Sequence, residues 1–338
     1  MSGKASTIQI ATFRVVGSLP VWVSYEQGFL KAYGLDAELV DFSGGSLSMN
    51  SLINGKVDIA GGLPQYVFAL AASQNIYLKL VHVTANNLPG NLQLIVRKDV
   101  QANSIEDLRG KRIGVHETSK DCLNCLSFLV RFREIGLVPQ GDVQIRKVPE
   151  AILGEALSAG IIDAAAMIQP YASSAVKRGI GYPLRDERLG ELGDPSTKVF
   201  GLPTQVPGWE GKVSAWLATC GYWTTESYLG RNPEVVHNVT RALADSSRWL
   251  MDPTNRGVAV ETLVRWAAPA LEAGEDSNAD SIEAASAAFN TFFWKPYPDG
   301  YGDWKALQHQ SEVMTRYGVL EKPIDVRKLV SMPWFVPE

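Results

Sequence analysis

A single phrase is written twice in this chain, and the repetition constrains the fold more than any other feature. Around Leu52 the sequence reads S-L-I-N-G-K-V-D-I-A-G-G, and around Leu157 it reads A-L-S-A-G-I-I-D-A-A-A-M. Matching phrases precede both copies: E-Q-G-F-L-K-A-Y-G-L-D-A-E-L-V up to Val40, and L-V-R-F-R-E-I-G-L-V-P up to Pro139. Gly34 pairs with Gly136, Gly55 with Gly160 and Asp58 with Asp163, each about a hundred residues apart. A period of that length implies two related α/β lobes rather than a short-repeat solenoid. Two similar lobes joined at a hinge are expected to enclose a cleft, where small ligands bind.

The local pattern supports this reading. Ile8 to Phe13 is a short apolar run ending at a glycine-containing loop, and reads as a strand feeding a helix over Pro20 to Tyr33 that stops at Gly34. Ala37 to Phe42 predicts the next strand, Gly44-Gly45-Ser46 opens a helix to about Asn54, and Val57 to Ala60 closes a βαβαβ unit. Strands are expected at Leu78 to Thr84 and Leu92 to Arg97. Ser104 and Asp107 have capping-box spacing, and Arg112 to Val115 begins the second copy. That copy continues with a helix from Glu117 to Ile135, a strand from Gln144 to Val148, a helix ending near Ala159 and a strand from Ala164 to Ile168. Residues 183–212 lapse into Pro, Gly, Asp and Glu, an irregular segment of a length that is usually functional or mobile. Val213 to Cys220 reads as a strand returning to the first lobe, and helices follow. The expected architecture is therefore an α/β fold of two lobes, each a mainly parallel mixed sheet flanked by helices. Lobe I takes 1–95 and 216–338, and lobe II takes 96–215.

Composition narrows the function classes. With 338 residues, 46% hydrophobic and 20% charged, the chain suits a globular protein with two cores. A net charge of -4 without a basic run gives no footprint for nucleic acid, and no apolar stretch approaches the roughly 18 residues of a membrane span. The first residues, M-S-G-K-A-S-T-I-Q-I, carry no secretory leader. The compartment is accordingly periplasmic or lipid-anchored if a leader was removed, and cytoplasmic if Met1 is the native start.

Four phrases occur in order: G-F-L-K-A-Y-G-L, L-I-N-G-K-V-D-I-A, S-I-E-D-L-R-G-K-R-I-G-V and K-P-I-D-V-R-K-L-V. Together they make the chain resemble the type II periplasmic binding proteins of the nitrate/sulfonate/taurine group, which includes the thiamine-pyrimidine (NMT1/THI5-like) proteins. The resemblance covers nearly the whole chain. It implies the two-lobed fold and a solute-binding protein of an ABC importer, which closes over a small anionic or heteroaromatic ligand of the sulfonate, nitrate or pyrimidine class. An ABC permease would be its partner, and no cofactor or metal is implied. The group also includes leaderless cytoplasmic enzymes, so a desulfinase, decarboxylase or pyrimidine-synthase-like enzyme on the same scaffold is the alternative. The signatures of two such enzymes do not carry over. G-G-L-P-Q-Y-V follows the third strand, where the synthase has clustered cysteines and a lysine–histidine pair, and R-V-V-G-S-L-P fills the first loop, where the desulfinase has its cysteine.

Ligands of open α/β sheets sit outside the carboxyl ends of the strands, near helix N-termini that offer N–H donors. The loops expected there supply Arg14, Gly17, Ser18, Gly45, Ser46, Gly62, Leu63, Pro64, Gln65, Thr118, Ser119, Gln169 and Tyr171, with Trp223 as an aromatic wall. Arg14 stands one position beyond the first strand, where its guanidinium can grip a carboxylate or sulfonate in bidentate fashion. The plain alternatives are turn glycines, a solvated arginine and core aromatics. Cys122 and Cys125 form C-x-x-C in the first turns of a helix, a place that lowers thiol pKa. They are the weak catalytic candidates, weighed against two small buried hydrophobes. His82, His116, His237 and His309 show no metal-ligand spacing and read as structural.

Overall fold

The computed structural model describes residues 7–62, 64–87, 91–116, 136–138, 141–184, 218–271, 277–294, 304–316 and 320–335. The chain divides into two compact units. The first comprises Met1–Asn86, Trp216–Trp266 and Phe293–Glu338, and the second comprises Asn87–Ala215 and Ala267–Phe292.

The first unit is built on a six-stranded sheet in the order β11-β4-β10-β3-β1-β2. Its strands are β1 (Ile8–Phe13), β2 (Ala37–Phe42), β3 (Ile59–Gly62), β4 (Lys79–Asn87), β10 (Ala218–Thr224) and β11 (Phe292–Trp294). β1 runs parallel to both β2 and β3, whereas β10 is antiparallel to β3 and β4. The central strand β3, I-A-G-G, is buried along its whole length, as expected of a parallel strand covered on both faces. Helices α1 (Leu19–Glu26), α2 (Phe29–Ala32), α3 (Gly45–Ile53) and α4 (Pro64–Gln74) connect the early strands. One continuous helix was expected from Pro20 to Tyr33. Gly28 interrupts it by adopting a left-handed φ of 78°, which glycine reaches without the clash of a Cβ.

A long helix, Pro233–Met251, covers this sheet. Proline in its first turn, Glu234 near its start and Arg248 near its end agree with the helix dipole. Val236, Val239, Thr240, Leu243, Ser247 and Leu250 recur at three- and four-residue spacing and are buried. Thr240 Oγ1 donates to the Val81 carbonyl at 2.9 Å, tying the helix to β4.

The second unit holds a five-stranded sheet in the order β7-β6-β8-β5-β9. Here β5 is Leu92–Arg97, β6 Arg112–Val115, β7 Gln144–Lys147, β8 Ala164–Ile168 and β9 Gly181–Pro183. β6 pairs in parallel with β7 and β8, and β5 is antiparallel to β8 and β9. Leu92, Leu94 and Val96 alternate onto one face, with Ile113, Val115, Ala164 and Ala166 in the same buried cluster. Helices α5 (Leu153–Ser158) and α6 (Tyr171–Lys177) follow β7 and β8.

The unit boundary differs from the sequence expectation in two places. Residues 92–97 had been divided at 95 and 96, but the strand there pairs with β8 and β9 and lies wholly in the second unit. Residues 267–292 also belong to the second unit, and their helix Ser277–Phe289 packs on α6. Of the expected irregular segment 183–212, residues 185–212 lie outside the described residues, as does the expected helix from Glu117 to Ile135.

The two copies of the repeated phrase perform the same local task. Asp58 N–H donates to the Gln9 carbonyl at 2.9 Å, and the Asp58 carboxylate accepts from Gln9 N–H at 2.8 Å. Asp163 repeats this with Arg112, at 2.8 and 2.9 Å. Each aspartate clamps the entrance of its third strand to that of its first. The preceding glycines, Gly55 and Gly160, hold φ of 67° and 68°, the left-handed turn that ends each helix. In the second copy Arg112 adds side-chain hydrogen bonds at 2.9 and 2.7 Å, and these hold the Asp163 carboxyl below the usual carboxylate range. We therefore expect Asp163→Ala to destabilise the second unit by about 2–4 kcal/mol, since a buried backbone donor and two guanidinium donors lose their acceptor. Asp58→Ala strands one donor and is expected to cost about 1 kcal/mol. Urea unfolding of both variants checks the order, and equal effects would show that the arginine contributes nothing.

Candidate functional site

The carboxyl ends of β1, β2 and β3 meet the starts of α1 and α3. β1 ends at Phe13, where the chain turns through a short 3-10 segment, Val16–Ser18, into α1. Ser18 is buried, and its hydroxyl donates to the Phe13 carbonyl at 2.7 Å, so it closes the turn. Gly17 is buried beside it, its carbonyl accepting from Thr84 Oγ1 at 3.4 Å. Arg14 lies half exposed, with Nε donating to Asp41 Oδ2 on β2 at 2.6 Å. That contact fixes the guanidinium at the strand tips and partly neutralises it. A half-exposed pair of this kind contributes about 0–1 kcal/mol, so its effect is on orientation more than on stability.

β3 was expected to end at Ala60, but it extends through Gly61 and Gly62, which therefore form the strand tip itself. The reason is pairing with β10, which sets Tyr222 opposite Gly61 and Gly221 opposite Gly62, and close packing leaves little room there for a side chain. A Cβ on Gly62 would lie 2.2 Å from Met49 Cε, and one on Gly61 would lie 3.2 Å from the Tyr222 ring. The Gly61 carbonyl accepts from Ser48 Oγ at 2.8 Å and the Gly62 carbonyl from Trp223 Nε1 at 3.2 Å. Trp223 is fully buried. Its role is to support the tip of β3 from beneath, not to present a surface. Gly45 and Ser46 form the first turn of α3, whose N–H groups and dipole favour an anion. Arg14, Gly17, Ser18, Gly45, Ser46, Gly62 and Trp223 are thus gathered at one end of one sheet.

In the second unit, Gln169 is buried at the tip of β8, with its N–H bound to the Asn91 carbonyl at 2.9 Å. Its side-chain oxygen accepts from Ser173 N–H at 3.2 Å, and Tyr171 begins α6 and is also buried. Leu63, Thr118, Ser119, Cys122 and Cys125 lie outside the described residues, as do the side chains of Pro64 and Gln65.

Two polar groups at these strand ends had no place in the sequence reading. Thr12 Oγ1, near the end of β1, is buried with no hydrogen-bond partner among the described residues. Glu150, just past β7, is buried with one oxygen in the same condition. Burial pushes the Glu150 carboxyl up to about 8, opposed only by the N–H of Ile168. A sequence signal for Glu150 did exist. It follows Gly45 by the 105-residue spacing that relates Gly55 to Gly160 and Asp58 to Asp163, so it holds the loop position that Gly45 holds in the first copy. Among the described residues, no cluster of three or more His, Cys, Asp or Glu side chains is arranged to hold a metal, and no helix is long and apolar enough to cross a membrane.

Two α/β units, each a mixed sheet flanked by helices, are the fold that the resemblance implied, and residues 2–264 match the model of the NMT1-like family. The chain belongs to the NMT1-like family. Its fold is shared over nearly its full length with solved binding proteins. The alkanesulfonate-binding protein SsuA of Xanthomonas axonopodis pv. citri, bound to MOPS, is similar at a TM-score of 0.70 and 19% identity, covering 98% of this chain and 99% of that one. The periplasmic nitrate-binding protein NrtA of Synechocystis PCC 6803 is similar at a TM-score of 0.68 and 13% identity, covering 96% of this chain and 84% of that one. In sequence, this NMT1-like chain is 22% identical over 320 residues to YtlA of Bacillus subtilis (strain 168), whose name leaves its binding role provisional. That match spans 92% of this chain and 83% of YtlA.

Proposed function

We propose that this NMT1-like protein is the solute-binding component of an ABC-type importer. It takes one small ligand, anionic or heteroaromatic, and its two units close over that ligand by a hinge motion. Its place is outside the cytoplasmic membrane, and an ABC permease receives the ligand. Family membership and the full-length fold likeness to sulfonate- and nitrate-binding proteins support the class.

The observation that carries the anionic preference is Arg14, set by Asp41 at the strand tips beside the first turn of α3. A guanidinium and helix N–H groups at one sheet end form a donor surface suited to a sulfonate, nitrate or carboxylate. Arg14→Ala is expected to weaken an anionic ligand by about tenfold or more, the loss of one charge-assisted contact of about 1.5–3 kcal/mol. Titration calorimetry with alkanesulfonates, nitrate and aminopyrimidines tests both statements, after native mass spectrometry has identified what co-purifies. Unchanged affinity in Arg14→Ala removes the arginine from the site. Steady conversion of a bound compound to product would replace the carrier reading with an enzyme.

A further inference from the structure

Three neighbouring strand tips of the second unit converge on one residue. Glu150 opens a short 3-10 segment, Glu150–Ile152, after β7. Its backbone N–H donates to His116 Nδ1 at 3.1 Å, at the tip of β6. Its Oε1 accepts from the N–H of Ile168 at 3.0 Å, at the tip of β8. The carboxyl is buried, while its chain neighbours Pro149, Ala151 and Ile152 are exposed. Oε2 has no hydrogen-bond partner among the described residues.

An orphaned oxygen of this kind costs about 1–3 kcal/mol, and more if the group is ionised. Glutamine at this position would accept the Ile168 N–H equally well and carry no ionisation penalty, only the cost of its own buried amide donors. What the acid alone provides is a negative charge, and that charge becomes favourable once a donor reaches Oε2. The position is also the one where ligands of such sheets are held, outside the carboxyl ends of parallel strands.

We propose that Glu150 is the second unit's contact for a basic nitrogen of the ligand, an amine or amidine. This deepens the solute-binding reading and rests on it. In the unliganded protein the carboxyl keeps its proton, consistent with its raised pKa. When a protonated amine arrives, Glu150 turns Oε2 toward it, releases its own proton to solvent and accepts the ammonium N–H as a carboxylate. A neutral aminopyrimidine instead takes the carboxyl's proton on its ring nitrogen while its amino N–H donates to the same carboxyl, and no proton leaves. His116 is the titratable group beside it, bound through Nδ1 to the Glu150 backbone N–H. Of the charged side chains on the neighbouring elements, Arg112 and Arg97 pair with Asp163, Arg146 with Gln144, and Arg178 with Glu155 on α5, while exposed Lys147 ends β7.

The test uses the full chain and compounds paired to differ in an amino group: taurine against ethanesulfonate, and 4-aminopyrimidine against pyrimidine. Calorimetry at pH 6, 7 and 8, in buffers of different ionisation enthalpy, reads affinity and proton release together. The amino compound of a pair is expected to bind at least about tenfold tighter at pH 7, the size of one charge-assisted hydrogen bond. Taurine, an ammonium over this range, should release close to one proton and gain up to about tenfold in affinity per pH unit toward pH 8, whereas 4-aminopyrimidine should release none. Glu150→Gln should abolish both the release and the slope, and His116→Gln should keep them. Equal binding of the paired compounds overturns the inference and leaves the solute-binding reading standing. A slope that survives Glu150→Gln, or is lost in His116→Gln, does the same. Failure of all four compounds to bind overturns the inference, and the co-purifying compound then decides the solute-binding reading separately.

Discussion

Replacing Trp223 with alanine is expected to destabilise the first unit by about 3–5 kcal/mol, the range for truncating a fully buried tryptophan. Trp223 has no exposed surface, and a Cβ on Gly221 would lie 2.9 Å from its Nε1, so the indole lies against the backbone of its own strand. The variant would open a cavity under the sheet and leave the Gly62 carbonyl without the Nε1 donor at 3.2 Å. The tip of β3 is a candidate ligand contact, so affinity should fall along with stability. Trp223→Phe separates the two effects. Phenylalanine keeps most of the ring volume and loses the donor, and should cost about 1–2 kcal/mol. Urea unfolding followed by calorimetry on both variants checks this. A loss below about 1 kcal/mol for the alanine variant would mean that the site does not depend on this support.

The features that proved legible in the sequence are those where one residue type meets one backbone demand. Gly34, Gly55, Gly136 and Gly160 all take positive φ, as their places after expected helices required. Ser104 and Asp107 form the capping box that their spacing predicts. The twin aspartates Asp58 and Asp163 were visible as a repeat, and their shared clamp explains why the repeat includes them. Features set by distant partners were not legible. Nothing in I-A-G-G says that Gly61 and Gly62 pair with Tyr222 and Gly221 of β10, or that Met49 and Tyr222 leave no room there for a side chain. The short strands β9 and β11 carry too few residues for a period, and pairing alone defines them. Of the site, Arg14 could be read because a cation just past a strand is unusual in itself. Glu150 stayed hidden because an acid after V-P reads as an ordinary solvated loop residue until its burial is known.

That burial sets the second large effect, on pH-dependent stability. The unfolded chain releases the Glu150 proton near 4.5, whereas the folded chain holds it up to about 8. Between those values the folded state binds more protons than the unfolded one, so stability falls as pH rises. The contribution is fully present below 4.5 and is lost by about 8. A shift of that size corresponds to a few kcal/mol, at about 1.4 kcal/mol for each pH unit of the window. Glu150→Gln keeps the acceptor for Ile168 N–H, cannot ionise, and introduces its own buried amide donors at a cost of about 1–3 kcal/mol. The two curves should therefore cross. The native protein is expected to be the more stable at pH 5, and Glu150→Gln the more stable at pH 8.5, by about 2 kcal/mol. Because the chain has two units, the measurement belongs on the second one. Hydrogen exchange of the Ile168 and Arg112 amides, at opposite ends of its parallel strands, follows the opening of that unit across the pH range. Parallel curves for the two proteins would place the carboxyl in contact with solvent, and would remove the reason for treating it as a proton-linked group.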